Sequence, residues 1–525
     1  MKEFAELFQR LDETTKTKEK VEAMAQYFKV APEDDRVWAI ALLSGKRPKR
    51  TVNTTLLRAW CAEEVGIPLW LFEETYHIVG DLAETIALLV TQNKEKTQSL
   101  SQWVAQIIEL QELGEEEKKA FILTAWKSIN TRERFLFNKI ITGGFRVGVS
   151  QRNMVKGLSK ATGIEENLLT YKLTGNWSPQ KMTYEELIFG TDDNFDISKP
   201  YPFYLAYPLE QKIETLGSTD DWKVEYKWDG IRGQLIKRNG EVHIWTRGEE
   251  LVTEKYPELI LAAKSLPNGI VIDGEILAWK DELPMNFASL QKRVGRKTLG
   301  KKLLTEVPVV LKAYDLIEYE GMDIRNQPQL ERRTKLEALI KNHPHDNLSL
   351  SPIIKYSDWS QLIREDARVY NAEGFMIKKA SGIYDVGRKK GNWWKWKVDP
   401  FTVDAVLTYA MRGHGRRANL YTDYTFGLWS EGELVTFAKA YSGLTDAEFR
   451  QVDRFVKKNT VERFGPVRQV VPELVFEIAF EAVSQSKRHK SGYAVRFPRI
   501  LRWRQDKKAV EANSTVDLQH LLQEK

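Results

Sequence analysis

The residues best placed to do chemistry are a lysine set between acids in Val224-Glu225-Tyr226-Lys227-Trp228-Asp229-Gly230-Ile231-Arg232. Apolar–polar alternation leads into this stretch and an Asn239-Gly240 hairpin signal follows, so Lys227 is expected at a strand end, facing a pocket. A lysine amine attacks only when neutral. With an ordinary pKa of about 10.4, freeing it at pH 7 costs about 4–5 kcal/mol. Neighbouring cations lower that cost. Asn392-Trp-Trp-Lys-Trp-Lys-Val-Asp399 offers two, because strand alternation puts Lys395 and Lys397 on one face. Carboxylates end or open two further apolar strands, in Asp273-Gly-Glu275 and Glu373-Gly-Phe-Met-Ile-Lys378. Hard oxygens at strand ends suit a divalent cation or ribose hydroxyls. Taken singly, each fragment also reads as a solvated turn or an edge strand.

A chain of 525 residues, 42% of them hydrophobic, is expected to form about three domains with ordinary cores. The formal charge of +6 is small, but the basic residues cluster, at Gly45-Lys-Arg-Pro-Lys-Arg50, from Lys292 to Lys302, and at Lys487-Arg-His-Lys490. Clustering of this kind points to a polyanion followed along the molecule, although each cluster alone fits a solvated loop. Cys61 is the single cysteine, which excludes an intramolecular disulfide framework and a cysteine zinc site. The first residues lack the apolar run of a signal peptide, and no run approaches the roughly 18 residues needed to span a bilayer. A cytoplasmic protein is the expectation, nucleoid-associated if bacterial.

Three kinds of periodicity organise these groups. Up to about residue 175 the pattern is helical, with Phe4, Leu7, Phe8 and Leu11 on one face, a stop at Gly143-Gly144 and an N-cap at Ser150. A polar, turn-rich stretch near 176–200 reads as a linker. Strands are then expected at Val224 to Tyr226, Ile231 to Lys237, Val242 to Trp245, Gly269 to Trp279 and Val307 to Ile317, with helices between them. Beyond Pro400, short strands flank one helix from Asp446 to Lys458, the pattern of a small oligonucleotide-binding barrel. The expected architecture is an all-α domain over 1–195, an α+β domain over 200–399 and a C-terminal β-barrel (OB fold) over 400–525. Two tempting matches are rejected. Gly295 to Lys302 resembles a phosphate loop but lacks its Ser/Thr, and His343-Pro-His345 has no further ligands.

The Lys-x-Asp-Gly-x-Arg pattern resembles the nucleophile motif of covalent nucleotidyltransferases, which include DNA ligases, RNA ligases and mRNA capping enzymes. The series continues through the 273, 373 and 392 segments to Val495-Arg-Phe-Pro-Arg-Ile-Leu-Arg-Trp-Arg-Gln-Asp-Lys507. Over nearly the whole chain it resembles ATP-dependent DNA ligases, and Phe135 to Ser150 resembles their helical DNA-binding domain. The resemblance implies that Lys227 attacks the α-phosphorus of ATP, that AMP passes to a DNA 5′-phosphate, and that a 3′-hydroxyl then displaces AMP. It assigns Glu225 to the adenine amino group, Tyr314 to stacking, Arg232 to the sugar, and Arg247 to the nucleotide or acceptor phosphate. Glu275 and Glu373 would hold Mg²⁺ or Mn²⁺, and Lys378, Arg388, Lys395 and Lys397 would lie near phosphate. Arg504 and Lys507 would orient the pyrophosphate.

Asn286-Phe-Ala-Ser-Leu-Gln-Lys-Arg293 resembles a segment whose phenylalanine wedges into the minor groove, giving Phe287 and Arg293 as DNA contacts; a core Phe is the alternative. Lys46, Arg47, Arg146, Arg496 and Arg499 complete the expected DNA surface. At finer grain the resemblance is to bacterial ligases that act as monomers on nicked duplexes beside a repair helicase and nuclease. The competing readings are an RNA ligase or capping-type enzyme and a noncatalytic DNA-binding scaffold. An NAD-dependent enzyme is disfavoured, because its usual zinc site needs more cysteines.

Overall fold

The helical periodicity of the first third becomes ten α-helices among the described residues, from Lys2–Glu13 to Gln151–Thr162. The structure, a computed structural model, describes every residue except 93–95, 144, 146–147, 176, 191–196, 297–298, 414–418 and 524–525. It divides into two compact units, Met1–Gly157 with Pro400–Lys525, and Leu158–Asp399. No described helix is long and apolar enough to cross a membrane.

In the first unit, helix Lys2–Glu13 buries Phe4, Leu7, Phe8 and Leu11 at helical spacing. Helix Thr131–Thr142 opens with a capping box of Asn130 and Glu133 and closes on Gly143 at φ 75°, a left-handed cap that glycine adopts without strain. Arg47 donates to the Gly143 carbonyl and Arg50 to the Thr142 carbonyl at 3.0 Å. The basic loop is thereby fastened to the negative end of that helix. The C-terminal part of the unit is a strand-rich half-barrel around Phe426, Phe437, Phe476 and Phe480. Its one interrupting helix spans Asp446–Lys458, started by a Thr445–Glu448 capping box. Strands Val467–Val470, Val475–Phe480 and Ala482–Gln485 follow it.

The second unit holds two main sheets and a small one that pairs Tyr204–Leu205 with Gly387–Arg388. We number its main strands β1 Trp222–Trp228, β2 Ile231–Arg238, β3 Glu241–Thr246, β4 Ile270–Lys280, β5 Val309–Tyr319, β6 Leu348–Leu350, β7 Ile353–Ile354, β8 Ala372–Lys379 and β9 Trp393–Lys397. One sheet runs β6-β5-β4-β2-β3 and the other β7-β1-β8-β9. Asn239 and Gly240, both at positive φ, make the β2–β3 hairpin. Helices Pro257–Lys264 and Gln329–Asn342 cover one face of the first sheet, packing Leu259, Ala262, Leu336 and Ile340 on Leu235, Ile272 and Leu316.

In the second sheet, Val224, Trp228, Phe375, Ile377 and Trp394 share a core. Strand alternation therefore turns Glu225, Lys227, Lys378, Lys395 and Lys397 to the opposite face. A one-residue slip of β8 would expose Phe375 and Ile377, at about 1.5–3 kcal/mol each, and drive Lys378 into oil, so the register is firmly set. Segment 197–201 is docked onto this unit. Arg238 pairs with Glu318 at 2.6 Å and donates to the Ile197 and Lys199 carbonyls, while the Tyr201 hydroxyl donates to Glu318 at 2.9 Å.

Candidate active site

Where β8 meets β1 the pairing steps from Ala372↔Trp228 to Phe375↔Tyr226, leaving Glu373 and Gly374 in a bulge opposite Lys227. Gly374 has φ +132°, and a Cβ there would sit 2.2 Å from the Trp396 carbonyl oxygen, so only glycine fits. The bulge turns Glu373 onto Lys227, with Nζ to Oε2 at 2.5 Å, while Lys397 reaches the same oxygen at 3.1 Å. Burial would raise the Glu373 carboxyl, but the Lys227 and Lys397 ammoniums outweigh it and hold it at about 2. Lys395 sits below the ordinary lysine range, first through burial and then through Arg388, Lys227 and Lys397. The expected cationic cluster is thus assembled. The closest charged group to Lys227 is nevertheless a carboxylate, and the amine can react only after that pair separates.

Glu275, from β4, faces the same space. Burial pushes its carboxyl up to about 8, against the opposing pull of Lys227 and Arg232. No group among the described residues donates a hydrogen bond to that carboxylate. Two carboxylates, one without a donor, fit a divalent cation that completes its shell with phosphate oxygens. No cluster of three or more His, Cys, Asp or Glu among the described residues offers an all-protein cage.

The other end of the cleft is dry. Lys378 lies five residues, about 16 Å, along β8 from Glu373. It donates to Glu225 at 3.1 Å, each residue being 1% exposed. Its ammonium lies 4.3 Å from the Tyr314 ring centroid and 4.6 Å from that of Trp393. Lys378 therefore stands with Glu225 and Tyr314, and Glu225 is itself two residues along β1 from Lys227. Arg232 braces the floor between β2 and β4: it grips fully buried Asp273 at 2.6 and 3.1 Å and donates to the Tyr204 carbonyl and the Tyr384 hydroxyl. These bonds engage all three guanidinium nitrogens, so the sugar-contact expectation gains no support from its geometry. Arg247 and Arg388 are exposed.

The DNA-directed expectations fare unevenly. Arg293 is corrected: it is 0% exposed, forked onto Glu258 at 2.5 and 2.6 Å and bonded to the Lys255 and Val307 carbonyls, a structural pair inside the fold. Phe287 is half-buried against the core, the alternative that the sequence left open. Lys46 is half-buried and Arg47 is exposed apart from its bond to Gly143; Arg146 lies outside the described residues. In the half-barrel, Arg504 and Lys507 converge on Asp404 at 2.9 and 2.6 Å, and Arg504 also pairs with Asp506. Arg499 pairs with Glu481 at 3.0 Å, and the Arg496 guanidinium lies 5.0 Å from the Phe497 ring. Phe497 is 64% exposed at φ +53°, a conformation that costs a bulky residue energy and tends to mark function. Sequence reasoning missed Asp404, Tyr384 and Arg333, none of which has a spacing that announces it, and gave no role to Phe497 although it lies within the terminal motif.

Three family models match the chain: "DNA ligase N terminus" over residues 1–159, "ATP dependent DNA ligase domain" over 204–397 and "ATP dependent DNA ligase C terminal region" over 417–507. A "Probable DNA ligase" of Koribacter versatilis is 31% identical over 98% of this chain and 95% of that protein. "DNA ligase 1" of Korarchaeum cryptofilum is 27% identical over 98% and 96%. A solved structure titled "Pmar-Lig_PreS3" shares the fold, with a TM-score of 0.62 and 17% identity over 95% of this chain and 99% of that one.

Proposed function

The chain belongs to the family of ATP-dependent DNA ligases, and from that premise we propose which of its residues carry each step of sealing. Lys227 attacks the α-phosphorus of ATP, forming a phosphoramidate N–P bond as the bond to pyrophosphate breaks. The observation that carries this reading is the bulge that sets Lys227 among Glu373, Lys397 and Lys395 on the polar face of one sheet. Lys395, Lys397 and Arg388 take the α-phosphate charge as it develops. Glu275 and Glu373 would hold a divalent cation, which would supply neutralisation of phosphate charge. Adenine stacks on Tyr314 with its 6-amino group directed at Glu225, and Lys378 serves the base end of the cleft. Arg504 and Lys507, preorganised by Asp404, receive the pyrophosphate.

In the second step a DNA 5′-phosphate oxygen displaces Lys227 from AMP; in the third, the 3′-hydroxyl forms the phosphodiester and AMP leaves. We assign DNA contact to the helical domain over 1–195, nucleotidyl transfer to 200–399 and the last motif to the OB-type domain over 400–525. Exposed Phe497 and half-buried Arg496 belong to the DNA-facing set. A monomeric state, with a repair helicase and nuclease as partners, is part of the same reading and is checked by sedimentation and by co-purification. Sealing of a nicked duplex with ATP, GTP or NAD supplied separately tests the whole. Joining with ATP alone is expected. Joining with GTP, or on RNA only, would favour a capping-type or RNA-joining enzyme.

A further inference from the structure

Arg333 lies outside every motif of the sequence, on helix Gln329–Asn342, and is 4% exposed. Its Nε donates to Glu337 at 2.7 Å and its Nη2 to the Ser351 carbonyl at 2.8 Å. Its Nη1 is buried without a hydrogen-bond partner, 3.6 Å from Oε1 of Glu225 and just beyond bonding range. A buried guanidinium N–H left unbonded is costly and calls for a reason.

The reason lies in what Lys378 is doing. It donates to the same Oε1 at 3.1 Å and covers the Tyr314 ring. Lys378 thus fills both the stacking surface and the acceptor that an incoming adenine would use. When the base enters, Lys378 must give up Oε1, and a carboxylate 1% exposed would face the ligand without its cation. The reserve donor of Arg333 points at that oxygen.

We propose that Arg333 is a positioning residue that takes over Glu225 as Lys378 yields to the base, fixing the carboxylate toward the 6-amino group and so setting the preference for a 6-aminopurine nucleotide. This rests on the placement of adenine between Tyr314 and Glu225 proposed above. Arg333 acts through Glu225 and does not touch the nucleotide.

The test compares single-turnover self-adenylylation of the full-length protein on ATP and on purine riboside triphosphate, which lacks the 6-amino group. Wild type should prefer ATP by about 10- to 100-fold, the scale of one charge-assisted hydrogen bond. Arg333→Gln should bring that preference to within about threefold of unity by weakening use of ATP, with the analogue unchanged. Arg333→Lys, whose single ammonium cannot serve Glu337, Ser351 and Glu225 together, should give an intermediate loss and decides the matter if the glutamine variant fails to fold. Equal losses on both nucleotides, or an undiminished preference, would overturn the proposal and leave Arg333 a structural brace. A wild type indifferent to the 6-amino group would instead overturn the placement of adenine itself.

Discussion

The two ends of the nucleotide cleft are built on opposite terms. At the base end, Glu225, Lys378 and Arg333 are 1–4% exposed, with Glu225 bonded to Lys378 and the Arg333 guanidinium held 3.6 Å away, so recognition there turns on an exchange between two buried cations. At the phosphate end, Lys227, Lys395, Lys397 and Arg388 crowd around Glu373, while Glu275 lacks any protein donor among the described residues. That end is assembled for charges the protein does not itself supply. The base end thus trades one buried cation for another as the base enters, whereas the phosphate end keeps its reactive lysine latched until an anion and a cation arrive. Substitutions at the phosphate end should act on the rate of chemistry, and those at the base end on affinity.

The largest effect belongs to Lys227→Ala, which should lower self-adenylylation by on the order of 10⁴-fold or more while leaving part of the sealing of pre-adenylylated DNA, measured on a synthetic intermediate. Next, Glu373→Gln should cost about 10²–10³-fold in the adenylylation rate with a smaller change in apparent ATP affinity; a pure affinity defect in rapid-quench data would erase the distinction between the two ends.

Glu275→Gln should stabilise the metal-free, nucleotide-free protein. Burial raises that carboxyl from 4.5 to about 8 on folding. The unfolded chain releases its proton first as pH rises, and wild type loses stability across that window. Glutamine does not titrate, so the variant's advantage should be under about 1 kcal/mol at pH 5 and on the order of 4 kcal/mol at pH 8. Chemical denaturation in a chelating buffer at the two pH values reads it, and a constant gap would mean that Glu275 is not held protonated. Smallest is Tyr314→Ala, expected to raise the ATP concentration at half-maximal rate by about 10-fold, one lost stacking contact, with the limiting rate nearly unchanged.

Much of the phosphate end was legible in the sequence because strand alternation is a strict rule: Lys395 and Lys397 had to share a face, and Lys227 had to stand at a strand end. The orientation of Glu373 was not legible, since it depends on a bulge made possible by Gly374 packing against the Trp396 carbonyl, a contact between strands. The pairing of Lys378 with Glu225 was not legible either, because the two are 153 residues apart and meet only across the sheet. Arg293, expected as a DNA contact, is neutralised inside the fold by Glu258, which is 35 residues earlier and gave no signal. Asp404 and Arg504 are 100 residues apart, and only the fold joins them. The helical and strand-rich regions were readable throughout, since their cores repeat at periods of 3.6 and 2.

The central claim is that Lys227 becomes covalently bonded to AMP. The most direct measurement incubates the protein with ATP labelled at the α- or the γ-phosphate, followed by peptide mapping. The account predicts α-label, but not γ-label, in an acid-stable adduct on the peptide that contains Lys227, with pyrophosphate released in equal amount and no adduct in Lys227→Ala. Label on another residue, transfer of the γ-phosphate, or an adduct that survives the Lys227→Ala substitution would contradict it.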